Sequence, residues 1–168
     1  MIEKLKIRLS DWRDRDFIQP LRKKLGRPVD GGLYELLNWP IYHAHIAMLD
    51  GRPVGFTSVL LNMSGDADDI GTSVHEEFKR QHVSSELRYA QVRDLGVMGF
   101  SRLFCSVLAE NKEGVETCKA QFGEPIGEIL SPYLPGHLYF GAKLTTIEDN
   151  LQRLGTRRPF PLSDVNHE

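Results

Sequence analysis

Asp50-Gly51 separates two runs of alternating side chains, Tyr42–Leu49 and Val54–Leu61. Asp-Gly supplies the positive φ angles that a tight antiparallel turn needs, so the two runs are predicted as the strands of one hairpin. Pro53 falls near the start of the second strand, where a missing N–H is tolerated. The chain must therefore build a sheet around this hairpin.

The flanking segments supply further elements. Residues 4–9 (KLKIRL) alternate charged and apolar side chains and predict a strand with one buried face. Ser10 and Asp11 mark a helix start, and Phe17, Ile18, Leu21 and Leu25 form a helical stripe. Pro20 interrupts that stripe, so either the helix kinks or a second one begins there. A short helix is predicted over Leu33–Trp39, stopped by Pro40. The polar run Asn62–Asp68 reads as a loop and Ile70–His75 as a strand. Val83, Leu87, Ala90, Leu95 and Met98 keep helical spacing, and Arg102–Leu108 reads as a buried strand. Asn111 is a good N-cap for a helix with Val115, Cys118 and Phe122 on its apolar side. Pro125–Leu130 and His137–Leu144 are strand candidates, and Thr145 with Glu148 fits a capping box for a last helix. Such an order predicts one α/β domain with a mixed sheet over residues 1–155, followed by an extended tail, 156–168.

Bulk properties exclude several classes. The chain has 168 residues, enough for one sizeable core. With 21 basic and 23 acidic residues, no global field steers it to nucleic acid or to an anionic membrane. The two cysteines, Cys105 and Cys118, form no CxxC pair, which argues against a disulfide framework or a structural zinc site. No apolar run suits a signal peptide or a membrane span, so a cytoplasmic protein is expected. His43 and His45 share a strand face, but no carboxylate or cysteine partner is evident beside them, and no metal is expected.

Three segments carry a family resemblance: AMLDGRPVGF (Ala47–Phe56), SVHEEFKRQHVSSEL (Ser73–Leu87) and VLAENKEGVETCKAQFGEPIGE (Val107–Glu128). In order and spacing they resemble the GNAT N-acetyltransferase superfamily. The first looks like its common hairpin. The second resembles its strand end, phosphate loop and long helix, with Lys79 at the Arg/Gln position and His82 and Ser84 where glycines are usual. The third resembles its strand, asparagine and helix, with Cys118 where many members carry a tyrosine acid.

The resemblance implies a mixed, mostly antiparallel central sheet flanked by helices, here with an extra C-terminal helix. It implies acyl transfer from acetyl-CoA, as co-substrate, to an amine of a small molecule or protein. Ser73, Val74, Lys79, Arg80, Gln81, His82, Val83, Ser84, Ser85 and Asn111 would bind CoA, its diphosphate lying at a helix N-terminus. Strand Ile70–His75 would splay from Arg102–Leu108 to admit the pantetheine arm, with a backbone N–H near Val74 facing the thioester carbonyl. Asp68, Asp69, His75 and Glu76 are candidate bases, and Tyr133 or Tyr139 would replace the missing acid. The acidic residues of Asp66–Asp69, Glu76 and Glu77 favour a cationic acceptor. Two other readings fit the same residues: a GNAT-fold binding or structural protein that has lost catalysis, and a nucleobase-modifying relative of the phage type. The basic cluster Arg153, Arg157 and Arg158 keeps the last open, although nucleic acid is not expected. An exposed last strand and the extra helix leave a homodimer open.

Overall fold

The computed structural model describes residues 5–24, 42–129 and 136–155. The sequence expectations over Leu33–Trp39, Tyr133 and the tail from Thr156 lie outside the described residues.

Seven strands form one sheet: β1 (Leu5–Leu9), β2 (Tyr42–Leu49), β3 (Arg52–Leu61), β4 (Asp66–Val74), β5 (Arg102–Leu108), β6 (Gly127–Ile129) and β7 (His137–Lys143). Their order across the sheet is β1-β2-β3-β4-β5-β7-β6, and every neighbouring pair is antiparallel except β4 with β5. A parallel pair needs a long crossover, supplied here by a helix over Val83–Val97. The helices are α1 (Arg15–Lys24), α2 (Val83–Val97), α3 (Lys112–Phe122) and α4 (Leu144–Arg153). The expected α/β fold with a mixed, mostly antiparallel sheet and a C-terminal helix is present.

Strand alternation sends one set of side chains to each face. On one face Ile46 and Phe56 pack against Ile18 and Leu21 of α1. On the other, Ala47, Val54 and Val74 meet Val83, Leu87 and Ala90 of α2. Further along that face, Leu103, Cys105 and Phe140 pack with Phe122 of α3 and with Ile147 and Leu151 of α4. Gly55 eases the close crossing of α2 over the sheet. A Cβ there would lie 3.1 Å from the Ser73 carbonyl and 3.2 Å from Leu87.

Three local expectations are corrected. Strand β4 begins at Asp66, inside the run read as a loop, and ends at Val74 rather than His75. Of the two expectations at Pro20, a second helix is not formed there: Pro20 lies inside the single helix α1, on its exposed side. No capping box forms at Thr145, because α4 starts at Leu144 directly from β7, and Lys143 at its N-cap makes no side-chain cap bond.

Candidate active site

Strands β4 and β5 pair over three positions, Asp66 with Arg102, Ala67 with Leu103 and Asp68 with Phe104. Beyond them the strands part. A bulge accompanies the divergence: Val59 and Ser58 of β3 oppose Asp69 and Gly71, leaving Ile70 as the extra residue of β4. Bulges bend a strand and re-aim its side chains. Here Asp69 and Thr72 both turn toward α2 and bond each other, at 2.7 Å.

The open edge of β4 presents backbone donors. The His75 N–H points to β3, donating to the Val54 carbonyl at 2.8 Å. Successive N–H groups of a strand face opposite edges, so the Val74 N–H faces the gap.

The chain then turns through a short 3-10 segment, Glu76–Phe78, into α2. Arg80 and His82 both have left-handed backbone, with φ of 59° and 65°. His82 thus keeps the conformation that glycine usually supplies, with a side chain that strains it. The first helical bond of α2 runs from the Glu86 N–H to the His82 carbonyl, 3.0 Å. The N–H groups of Val83, Ser84 and Ser85 precede it and have no intrahelical acceptor.

A cavity of about 540 Å³ opens in front of this helix start, reaching from the edge of β4 to α3. Ser73, Val74, Lys79, Arg80, His82, Val83, Ser84, Ser85 and Asn111 line it. Gln81 points elsewhere, donating to the Glu77 carbonyl at 3.1 Å. Asn111 caps α3 by accepting from the Gly114 N–H at 3.0 Å. Cys118 also lines the cavity, and its Sγ lies 3.6 Å from that of buried Cys105.

A second cleft, about 240 Å³, opens between β4 and β5 and shares Thr72 and Asn111 with the first. Lys24, Asp69, Ser106 and His137 also line it. Where the two spaces approach, the buried Arg88 guanidinium is held by Asp69 (2.5 Å), Gln121 (3.1 Å), Thr72 (3.3 Å) and Gln91. The Phe122 ring lies beneath it, 5.3 Å away.

The four candidate catalytic residues are dispersed. Asp69 is buried in the Arg88 pair. His75 is exposed at the end of β4. Glu76 is exposed and pairs with Lys79 at 2.8 Å, which holds its carboxyl below the usual range. Tyr139, on β7 opposite Ser106, stacks on Phe104 with centroids 5.5 Å apart. Burial and then the neighbouring Asp68 carboxylate raise its hydroxyl, so it keeps its proton at neutral pH. Sequence reasoning missed Lys24, Ser106 and His137, which face the second cleft, and the Arg88, Gln91 and Gln121 network. One signal was present: Arg88 and Gln91 sit one turn apart within the buried run of α2.

No protein-family model and no curated protein matches the chain by sequence. Solved structures do match in shape. The ribosomal-protein-S18-alanine N-acetyltransferase of Escherichia coli superposes with a TM-score of 0.69 at 14% identity, over 83% of this chain and 94% of that one. A structure from Desulfovibrio desulfuricans, assigned to the GNAT family, gives 0.69 at 15% identity, over 83% and 99%. The chain has the GNAT fold. A third GNAT-fold neighbour, the PaiA N-acetyltransferase of Thermoplasma acidophilum, was solved in complex with coenzyme A; it matches at 0.69 and 12% identity, over 83% and 99%. The parting of β4 from β5 and the helix start beside it are thus set in a GNAT-type sheet. Among the described residues no helix is long and apolar enough to cross a membrane.

Proposed function

We propose that the protein is an acyl-CoA-dependent N-acyltransferase using acetyl-CoA. The observation that carries this reading is the cavity joining the open edge of β4 to the unpaired N–H groups of α2. Those donors, the positive end of the helix dipole and the basic Lys79 and Arg80 suit a diphosphate. Left-handed residues such as Arg80 and His82 are a feature of anion-binding backbone nests. The pantetheine arm would follow Ser73 and Val74 into the gap, and the Val74 N–H would donate to the thioester carbonyl as negative charge develops on it.

The acceptor amine would enter from the second cleft. Its nitrogen attacks the acyl carbon, the carbon–sulfur bond breaks, and the amine proton passes to a base. His137 is our choice for that base, acting directly or through a water, because it lines the acceptor cleft. Asp69 is committed to Arg88, while His75 and Glu76 stand toward solvent. Tyr139, on β7 opposite Ser106, lines neither space, so the leaving thiolate would take its proton from solvent.

Of the acidic residues that would favour a cationic acceptor, Asp66 is paired with Arg102, Asp69 with Arg88 and Glu76 with Lys79, whereas Asp68 bonds the neutral Asn62 and keeps its charge. The test is release of free thiol from acetyl-CoA in the presence of a panel of amines and N-terminal peptides. Amine-dependent release that falls at least about a hundredfold in His137→Ala supports the reading, on the usual scale of general-base catalysis. Tight CoA binding with no release on any acceptor supports instead a GNAT-fold binding protein.

A further inference from the structure

We propose that His43, His45 and Asp94 form a binding site for one divalent transition-metal ion of the zinc type. His43 and His45 lie two residues apart on β2, so both face α2. Asp94 reaches them from the last third of that helix. Its Oδ2 lies 2.7 Å from the His45 Nε2 and 3.3 Å from the His43 Nε2. The three ligand atoms fall within 4.8 Å of one another.

These spacings are close to what a metal imposes. Tetrahedral zinc, with bonds of about 2.0–2.1 Å, holds adjacent ligand atoms about 3.3 Å apart. The His43–Asp94 distance already has that value. The His45–Asp94 contact must open by roughly 0.6 Å, and the two imidazole nitrogens, no more than 4.8 Å apart, must settle at the same spacing through side-chain rotation.

The surroundings also suit an ion. β2 is hydrogen-bonded on both sides, His45 opposite Leu9 on β1 and Thr57 on β3, so the two imidazoles have a rigid base. His45 is fully buried, whereas His43 and Asp94 keep 19% and 16% of their side-chain exposure. Solvent can therefore reach a fourth coordination position. A carboxylate with two neutral imidazoles is a donor set for zinc, cobalt or nickel rather than for magnesium or calcium.

None of the three residues lines the cavity at the helix start or the cleft between β4 and β5. Asp94 lies 11 residues beyond Val83, about 16 Å along α2. The ion would thus pin the far end of α2 to β2, away from the acyl-transfer centre, and the proposal stands independently of that chemistry.

The test uses the full chain without a histidine tag, stripped with a chelator and titrated with Co²⁺ and then Zn²⁺. Wild-type protein should take up one equivalent of Co²⁺, with the strong visible absorption of a four-coordinate site, and Zn²⁺ should bleach it. Zn²⁺ should also raise the thermal midpoint. His43→Ala and Asp94→Asn should each lower the affinity by more than about tenfold, the effect typical of losing merely an outer-shell partner. His43 is partly exposed, so its variant should fold and decides the matter if Asp94→Asn does not. Absence of the Co²⁺ absorption in the wild type, as for a simple hydrogen-bonded triad, would overturn the proposal. So would equal affinity in His43→Ala.

Discussion

The Arg88 guanidinium and the Asp69 carboxylate meet at 2.5 Å, both buried, just beyond the last paired position of β4 and β5. The pair joins α2 to the strand that borders the proposed acyl site. Gln91 extends it to Thr57 on β3, at 2.9 Å, and Gln121 extends it to α3. The network sits where the β4–β5 ladder stops.

Removing one partner should therefore be costly. Asp69→Asn leaves Arg88 buried with neutral acceptors alone, and breaking a buried pair costs about 3–5 kcal/mol. We expect a loss near the lower end, because Gln91, Gln121 and Thr72 still accept from Arg88. Adding Arg88→Met should restore part of it. Urea unfolding of the single and double variants measures the coupling, and additive losses would show that the pair carries no such role.

His82 occupies left-handed backbone at the mouth of the phosphate-type loop. A non-glycine residue there carries a strain of about 1 kcal/mol. His82→Gly should stabilise the fold slightly, by up to roughly 0.5 kcal/mol, the relief of strain a little exceeding the added freedom of the unfolded chain. Acetyl-CoA should bind at least as tightly, since the loop conformation is unchanged. A lower urea midpoint for the variant would contradict this account of the loop.

Glu86 gives a pH signature. Burial pushes its carboxyl up to about 7, and no described residue bonds its Oε2. A folded-state value above the unfolded one means that the native protein binds the extra proton. Stability from this group is present at low pH and is lost as pH rises from about 4.5 through 7. The group is partly open to solvent, so screening reduces the effect to about 1 kcal/mol. Glu86→Gln should thus raise the thermal midpoint at pH 8 and leave it nearly unchanged at pH 4.5. Equal shifts at the two pH values would exclude this origin.

Most of the fold was legible because its signals are local. The Asp50-Gly51 hairpin, the stripe of α2 and the Asn111 cap all follow from neighbours in sequence. The start of β4 was not. Asp66 and Asp68 make that stretch look like a loop, and Asp69 breaks the alternation because it turns inward to Arg88, 19 residues away. The α4 cap was missed because β7 feeds the helix without a turn. The candidate site was legible on its CoA side, where one continuous segment, 73–85, builds the loop. The acceptor side draws Lys24, Ser106 and His137 from distant parts of the chain. Asp94 likewise meets His45 across 49 residues, so no spacing rule could pair them.

The most direct test of the acyl-CoA reading is calorimetric titration of the protein with acetyl-CoA, repeated on Ser84→Trp. A saturable 1:1 isotherm that weakens at least about tenfold in the variant, a loss of about 1.4 kcal/mol, is the expected result. No heat of binding at millimolar acetyl-CoA, or equal affinity in Ser84→Trp, would contradict the placement of CoA at the start of α2.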